Sequence, residues 1–334
     1  MVTPDPCLST AFTRAVGVEA PIVQAPIGGL ATPELAAAVS EAGALGMLAL
    51  TWTEVDALLA AVARTRSLTA RPFGANLILE WDQTERLAAL LDQGVRIISF
   101  FWGDPAPHVR ACHAADALVL MSVGSVDEAR RAVDAGVDIV VAQGWEAGGH
   151  VRGEVSTMAL VPAVVDAVSP VPVVAAGGIA DGRGLAAVLA LGASAAWMGT
   201  RFVLASETRP HPVYRDLMLA ADASETIHST LFDGAWPDAP HRTLRNSTVQ
   251  AWLGAGRPAT GSRPGEGEVI ARIEDDEIRR YASASPRDAV EGDVEAMSLW
   301  AGQSVGLIGS VESAATIVQR TVAEASEILG RRSG

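Results

Sequence analysis

Short runs of β-branched and aliphatic residues alternate with longer alanine- and leucine-rich segments over the first two-thirds of the chain. The runs begin about 20 to 32 residues apart, the repeat expected of strand–helix units whose strands pair in parallel. Most runs are apolar at consecutive positions, as in strands buried on both faces. We therefore predict eight strands, which begin near Ile22, Leu45, Phe73, Arg96, Ala117, Ile139, Val171 and Ala195.

Eight such units favour an α/β fold of the (βα)8 TIM-barrel type over a doubly wound sheet, although open sheets of eight strands also exist. The repeat stops at about Ser206, beyond which the chain is richer in charge and contains a Pro/Gly-rich stretch, GAGRPATGSRPGEGE. We predict that residues 1–205 and 303–334 form the barrel and that residues 206–302 form a smaller, mostly helical second domain. A final helix near Val311 to Leu329 is expected to return and close the barrel.

Several helix ends are marked in the sequence. Thr32, which precedes a proline, is typical of an N-cap, and the stretch Ser125–Glu128 is typical of a capping box. Gly43 and Gly136 stand where the corresponding helices should end, because glycine readily takes the left-handed backbone of a C-terminal cap. These signals place helices between the predicted strands.

The composition excludes several classes of protein. The chain has no lysine, so all 25 basic residues are arginine, which rules out Schiff-base aldolases, pyridoxal-phosphate enzymes and Walker-A nucleotide binding. The formal charge of −14 argues against nucleic-acid partners and against an acidic membrane surface. Neither a membrane-spanning run nor a signal peptide is recognisable, and Cys7 and Cys112 are expected to be free thiols rather than a disulfide. We expect a cytoplasmic enzyme.

Two glycine-containing segments, AAGGIADG and WMGT, follow the seventh and eighth predicted strands, where TIM barrels often bind phosphate. Gly177 and Gly178 let backbone N–H groups approach an oxyanion, and a helix is expected to begin just beyond, at Asp181. Gly199 and Thr200 add a further N–H group and a hydroxyl. These segments predict a phosphate site built from backbone dipoles, the alternative being that the glycines only form tight turns.

His150 ends the longest predicted strand-to-helix loop, QGWEAGGH, after the sixth strand. A histidine beside two glycines at a strand mouth is a natural proton acceptor next to a flat ligand, and an imidazole bonded to loop backbone is the equal alternative. Gln143 and Asn76, each at the carboxyl end of a strand, offer amides suited to the edge of a heterocycle. Their alternative role is to satisfy backbone groups of the barrel.

Two further groups of residues are considered for binding. The spacing of His108, Cys112 and His113 on one helix gives a poor tetrahedron, and no fourth ligand is evident, so we predict no metal site. Three tryptophans near strand ends either wall an apolar pocket or only pack in the core or rim: Trp52, Trp81 and Trp102.

Six short motifs follow one another along the chain: QAP from Gln24, FGAN from Phe73, QGWEAGGH, AAGGIADGRG, MGTRF and WAGQSVGLI. Together they resemble the nitronate monooxygenase family, formerly called 2-nitropropane dioxygenases. The pattern is shared with the flavin-dependent enoyl-acyl-carrier-protein reductase of the second type and with some NADH:quinone reductases. The resemblance spans residues 21–204, resumes at about Trp300, and implies a (βα)8 barrel that binds FMN non-covalently.

The resemblance also implies roles for individual residues. His150 matches the catalytic histidine of the family, Ala25–Pro26 would pass under the isoalloxazine ring, and Gln303 would reach back to it. Departures occur at Ile27, where many relatives have Met, and at Trp145, a bulkier residue than usual that is expected to narrow the substrate pocket. The residues predicted to bind the cofactor are Gln24, Ala25, Pro26, Asn76, Gln143, Gly148, Gly149, Gly177, Gly178, Trp197, Met198, Gly199, Thr200 and Gln303.

The implied function is FMN-dependent oxidation of alkyl nitronates by O2 to a carbonyl compound and nitrite. His150 would remove the α-proton of a nitroalkane or steady the nitronate anion. The stretch FDGAWPDAPHRTLRN, residues 232–246, resembles a segment of monooxygenase-type members. The alternatives are an NAD(P)H-dependent FMN reductase acting on an enoyl thioester or a quinone, and a non-catalytic binder of a flavin or another phosphate ligand. The expected partners are a small-molecule nitronate and O2, and the oligomeric state stays open.

Overall fold

The structure, a computed structural model, describes residues 8–330. Its first nine strands are β1 (Ile22–Gln24), β2 (Gly46–Ala49), β3 (Phe73–Ile78), β4 (Ile97–Phe101), β5 (Leu118–Val123), β6 (Ile139–Gln143), β7 (Gly149–His150), β8 (Val173–Ala176) and β9 (Ala195–Met198). All except β7 join one parallel sheet in the order β1-β9-β8-β6-β5-β4-β3-β2. Its two ends meet through a parallel bridge between Val23 and Leu45. The sheet therefore closes into a TIM barrel, which confirms the predicted fold and the eight predicted strands.

Alternate residues of each barrel strand face opposite sides of the sheet. One set, which includes Met47, Leu120 and Trp197, fills the inside of the barrel, where Phe12 and Val16 of the first helix pack against it. The other set packs against the surrounding helices. Both faces of these strands are thus buried, which explains why the runs are apolar at consecutive positions.

The helices are α1 (Ala11–Val16), α2 (Pro33–Glu41), α3 (Val55–Leu68), α4 (Thr84–Asp92), α5 (Ala106–Ala114), α6 (Val126–Asp134), α7 (Thr157–Val168), α8 (Gly182–Ala190), α9 (Thr200–Val203), α10 (Pro212–Ala220), α11 (Ser247–Gly254) and α12 (Ala314–Gly330). As predicted, Thr32 caps α2, Ser125 caps α6, and Gly136 follows α6 with φ of +93°. The second half of the capping box is displaced by one residue, because the Glu128 carboxylate accepts from the N–H of Gly124.

Residues 206–302 add two small antiparallel sheets beside α10 and α11. One joins β10 (Thr226–Ser229) and β11 (His241–Leu244) to β7, and the other joins β12 (Val269–Ile273), β13 (Asp276–Arg279) and β14 (Val290–Gly292). This region therefore holds more strand than the sequence predicts. In the hairpin of β12 and β13, the exposed side chains of Arg272 and Glu277 form an ion pair at 2.9 Å, and such charged positions leave no hydrophobic alternation to recognise. The division into two domains stays a prediction.

Strand β11 and helix α12 bring the C-terminal part of the chain back to the barrel. In β11, His241 and Arg242 pair with His150 and Gly149 of β7, so the second region holds the loop after β6. Helix α12 packs against α2 and α8, which confirms the predicted return of the last helix. None of the helices within residues 8–330 is long and apolar enough to cross a membrane.

Candidate active site

A cavity of about 220 Å³ opens at the carboxyl ends of the barrel strands, the end at which TIM barrels carry out their chemistry. Of the described residues that line it, none is charged. Any charge on a ligand must therefore be met by backbone N–H groups, amides, hydroxyls or an imidazole. Twelve of the fifteen residues singled out from the sequence line this cavity: Ala25, Pro26, Asn76, Gln143, Gly148, Gly149, His150, Gly177, Gly178, Trp197, Gly199 and Thr200.

Gln24 and Met198 lie outside the cavity. The Gln24 side chain is buried in the barrel, where its Oε1 accepts from the N–H of Met47 at 2.9 Å and its Nε2 donates to the carbonyl of Ala25. The side chain of Met198 belongs to the core between strands and helices. Both residues lie on a strand beside a residue that lines the cavity. Because successive side chains of a strand point to opposite faces, theirs point away from the cavity.

Gln303 also does not line the cavity. It begins a 3₁₀ segment, residues 303–307, and its backbone N–H donates to the carbonyl of Glu146 at 2.9 Å. Its neighbours Trp300 and Ser304 line the cavity instead. The segment that carries the WAGQ motif thus borders the cavity, although Gln303 itself does not line it.

The glycine loops after β8 and β9 form one end of the cavity. Gly178 has φ of +74°, and a Cβ added there would have no neighbour closer than 3.7 Å, so a ligand atom has room against the backbone. The N–H groups of Gly178, Ile179, Gly199 and Thr200 donate to no backbone acceptor within the described chain. Unpaired N–H groups from two adjacent loops are suited to an oxyanion.

The N-terminus of α8 does not add to this anion site, contrary to the expectation from the sequence. The Asp181 carboxylate accepts from the N–H groups of Arg183 and Gly184 at 3.0 and 3.1 Å, and Glu324 of α12 accepts from Gly182 at 3.0 Å. Two carboxylates thus already satisfy the first turn of the helix. Of the groups predicted to meet an oxyanion, the glycine loops therefore remain available and the first turn of α8 does not.

Two amides offer their oxygen atoms to a ligand. The Asn76 Nδ2 donates to the carbonyl and the hydroxyl of Ser99 at 3.1 and 3.2 Å, and the Gln143 Nε2 donates to the carbonyl of His150 at 3.0 Å. The buried Oε1 of Gln143 has no partner in the part of the chain that the structure describes. An unmade hydrogen bond of this kind costs about 1–3 kcal/mol, so a donor on a ligand would stabilise the site.

His150 lies on β7, with its ring between two indoles. The ring centroids are 4.1 Å from Trp236 and 5.3 Å from Trp300, both at tilted angles. The Nε2 atom is shielded from water and lacks a partner among residues 8–330. Desolvation, with a smaller contribution from His241, lowers the pKa of His150 to about 3. The ring is therefore neutral at ordinary pH, a weak proton acceptor that can still donate a hydrogen bond.

His241, the strand partner of His150, is a structural histidine. Its Nδ1 lies 2.9 Å from the carbonyl of Ala239, and its Nε2 accepts from the N–H of Phe232 at 3.1 Å. These two bonds require the neutral tautomer with the proton on Nδ1. Burial lowers the pKa of His241 to about 4, so no positive charge arises beside His150 near neutral pH.

Trp145 does not line the cavity, so it does not narrow the substrate pocket as the sequence suggests. The buried guanidinium of Arg242 lies 4.2 Å from its ring centroid, and Arg242 Nε and Nη2 donate to the Trp145 carbonyl at 3.2 and 2.8 Å. This stacking fixes the indole outside the lining of the cavity. Sequence reasoning misses it because Arg242 lies on β11, far along the chain.

Several cavity residues were not singled out from the sequence. Thr51 and Ser122 stand at or just beyond strand ends, a positional signal that was available, whereas nothing local marks Ser283 or Ser285. Trp236 does not line the cavity itself but packs against two residues that do, His150 and Trp52. Ser283, Ser285 and Trp236 belong to residues 206–302, and the position of this region over the barrel depends on long-range contacts that a local sequence pattern does not show.

The remaining candidates have ordinary roles. His113 pairs with Asp138 at 3.0 Å. Cys112 is buried in the core, and burial raises the pKa of its thiol to about 12, so it stays protonated and unreactive. Cys7 lies outside the described residues.

A parallel (βα)8 barrel with unpaired backbone N–H groups after its last two strands and a cavity lined by uncharged residues is typical of cofactor-binding barrel enzymes. The family model "nitronate monooxygenase" matches residues 9–87 and 78–324. The chain belongs to the nitronate monooxygenase family and is a flavin-dependent oxidoreductase of that type. The family resemblance and the enzyme class predicted from the sequence are thereby confirmed.

Two curated relatives span nearly the whole chain. One is the (3aS,4S,5R,7aS)-5-hydroxy-7a-methyl-1-oxo-octahydro-1H-indene-4-carboxyl-CoA dehydrogenase of Rhodococcus jostii, 34% identical over 95% of this chain and 96% of the relative. The other is the nitronate monooxygenase of Pseudomonas aeruginosa, 32% identical over 94% of this chain and 98% of the relative.

Two solved structures share the fold over the same length. FabK from Thermotoga maritima is 34% identical with a TM-score of 0.81, covering 98% of this chain and 99% of that one. Nitroalkane oxidase from Streptomyces ansochromogenes is 31% identical with a TM-score of 0.79, covering 97% of this chain and 100% of that one.

Proposed function

We propose that the chain binds FMN, with the phosphate at the glycine loops after β8 and β9 and the ring system toward Asn76 and Gln143. The unpaired N–H groups of those loops and the unpaired Oε1 of Gln143 support this assignment. A Cβ added at Gly149 would meet nothing within 4 Å, which leaves room for a flat ring beside the backbone. A single anion site favours a mononucleotide over a dinucleotide.

FMN would supply the electron transfer between an organic substrate and O2 that no side chain here provides. We propose that the substrate is a nitronate and that the products are a carbonyl compound and nitrite. The observation that carries this proposal is the neutral His150, whose Nε2 is unpaired. A nitronate has already lost its α-proton, so its oxidation does not need a strong base in the site.

His150 would act by holding the anion rather than by removing a proton. In a cavity without charged side chains, a neutral imidazole donates a hydrogen bond to a nitronate oxygen without adding a formal charge. A base whose conjugate acid has a pKa of about 3 has little driving force to take a proton from carbon. Of the two roles considered from the sequence, the structure therefore favours the one that steadies the anion.

Oxygen consumption and nitrite release with propyl-2-nitronate and with neutral 2-nitropropane test this function. We expect nitrite from the nitronate whether or not NADH is present, and kcat/KM for the nitroalkane lower by roughly 10²-fold or more, the usual size of a missing general-base contribution. Equal activity on both compounds would assign proton removal to the site. NADH-dependent oxygen consumption without nitrite would contradict the function.

The second candidate is a flavin-dependent dehydrogenase or reductase of a thioester. The similarity to the Rhodococcus jostii relative, which is named as a dehydrogenase of a ring-bearing carboxyl-CoA, favours it. Anaerobic bleaching of the flavin by an acyl-CoA or by NADH, without bleaching by a nitronate, would select this alternative.

A further inference from the structure

Four tryptophans meet at the mouth of the cavity. Trp52, Trp81 and Trp102 come from the loops after β2, β3 and β4, and Trp236 is inserted among them from the second region. The ring centroid of Trp236 lies 6.4, 4.9 and 4.9 Å from those of Trp52, Trp81 and Trp102, in edge-on geometry. We call these four residues the tryptophan wall.

Trp52 is the member of the wall that faces the cavity. It lines the cavity and stays 58% exposed, although Trp81 holds it edge-on at 5.4 Å and Trp236 braces it from a second direction. The exposed part of this indole adjoins the cavity, where a bound group can cover it. A ligand that covers it gains apolar contact while ordering few side chains.

The wall is itself anchored. The segment that carries Trp236 is fixed by the buried Arg263, whose Nη1 donates to the carbonyl of Leu231 at 2.9 Å and to Asp233 Oδ1 at 2.8 Å. Arg263 belongs to the Pro/Gly-rich stretch between α11 and β12. Through these bonds the stretch fixes the segment that carries Trp236, the tryptophan that contacts the other three.

The wall and the glycine loops stand on different sides of the barrel mouth. In the closed strand order, β8 and β9 lie three or four strands from β3 and β4, and β2, which precedes Trp52, lies two strands from β9. His150 lies between them and stacks on Trp236 at 4.1 Å. His150 and Trp52 line the same cavity, so a substrate whose anionic group meets His150 can place its substituent beside Trp52 when the cofactor phosphate occupies the glycine loops.

We propose that the cavity beside Trp52, with Ile78 and Phe101, is a subsite for a flat apolar group, and that the preferred nitronates carry an aryl substituent. The three side chains line one side of the cavity, and an indole face prefers a π-system to a saturated ring of equal size. The substrate class rests on the proposed function, whereas the subsite is defined by the wall alone.

Unreactive carboxylates test the subsite, because a carboxylate is planar and anionic like a nitronate. Phenylacetate, cyclohexylacetate and acetate are titrated into the flavin-containing protein, and binding is followed by the visible flavin spectrum and by tryptophan fluorescence. We expect phenylacetate to bind about 3- to 10-fold more tightly than cyclohexylacetate, the usual advantage of an aromatic pair beyond buried area. Trp52→Leu should abolish this advantage, and Trp52→Tyr should retain it.

Trp252→Leu is the matched control, since Trp252 is half-buried in a separate cluster and should leave the preference unchanged. Equal binding of the two ring acids by the wild type, or a preference that survives Trp52→Leu, would overturn the subsite. In turnover, kcat/KM for the nitronate of phenylnitromethane should exceed that for propyl-2-nitronate, and equal values would overturn the substrate class. If no nitronate is oxidised but the Trp52-dependent preference persists, the proposed function fails and the subsite stands.

Discussion

The two sides of the barrel mouth are built from opposite kinds of residue. On the side of β8 and β9, glycine loops expose unpaired backbone N–H groups, and on the side of β2, β3 and β4, tryptophan rings pack edge-on against one another. One side recognises an anion through fixed dipoles, and the other recognises an apolar group through ring faces. A side chain added at Gly178 would occupy the space that an anion needs, whereas the aromatic side accepts exchange among rings. Substitutions should therefore abolish binding on the first side and change selectivity on the second.

The largest effect is expected at the glycine side. Gly178→Asp places a carboxylate where the phosphate is proposed to bind, and like charges at close range cost several kcal/mol, so FMN affinity should fall by roughly 10²-fold or more. The control is Gly256→Asp, because Gly256 also has a positive φ, +82°, and nothing lies within 4 Å of its added Cβ. The flavin-to-protein ratio after purification measures the difference. A Gly178→Asp protein as yellow as the control would remove the anion site.

The next largest effect, on kcat, is expected at His150, between the glycine loops and the tryptophan wall. His150→Asn should keep FMN but lower kcat on a nitronate by roughly 10²–10³-fold, the cost of losing one donor to a developing charge. His228→Gln is the control, since His228 packs against Trp145 at 5.6 Å and does not line the cavity. Equal, small losses in both variants would reduce His150 to a packing role.

A smaller effect, on the free energy of unfolding, is expected at Arg242, whose side chain hydrogen-bonds the loop between β6 and β7. Arg242→Met removes two hydrogen bonds to the Trp145 carbonyl, and the carbonyl left unpaired should lower the free energy of unfolding by about 1–3 kcal/mol. Arg272→Met, which breaks an exposed ion pair with Glu277, should cost less than about 1 kcal/mol. Denaturant titration compares the two. A stabilised Arg242→Met protein would mean that the buried charge costs more than its bonds return.

The smallest effect concerns acid stability. The fold keeps His241 neutral down to a pKa of about 4, whereas the unfolded chain binds a proton near pH 6.5. Stability is therefore lost as the pH falls from about 6.5 toward 4, because only the unfolded state takes up the proton. Between pH 7 and pH 5, the His241→Gln variant should therefore lose about 1–2 kcal/mol less of its free energy of unfolding than the wild type loses. An unchanged pH dependence would contradict the neutral assignment.

The two sides also differ in how far the sequence predicts them. Gly177, Gly178 and Gly199 follow their strands directly, so a local motif and the barrel geometry suffice to bring them together. Trp236 and Arg242 act from a region whose strands lack hydrophobic alternation, and their contacts with His150 and Trp145 join residues almost 100 positions apart. The orientation of Trp145 and the charge state of His150 depend on these long-range contacts. Local pattern therefore predicts the glycine loops and locates Trp52, Trp81 and Trp102 near strand ends, but it misses the contacts made by Trp236 and Arg242.

The most direct test of the account is anaerobic mixing of the flavin-containing protein with propyl-2-nitronate, NADH or NADPH in a stopped-flow spectrometer. A neutral His150 beside an anion site predicts rapid loss of the oxidised flavin spectrum with the nitronate, little change with either nicotinamide, and nitrite once O2 is admitted. Rapid bleaching by NADH or NADPH, with no spectral change and no nitrite from the nitronate, would contradict the account.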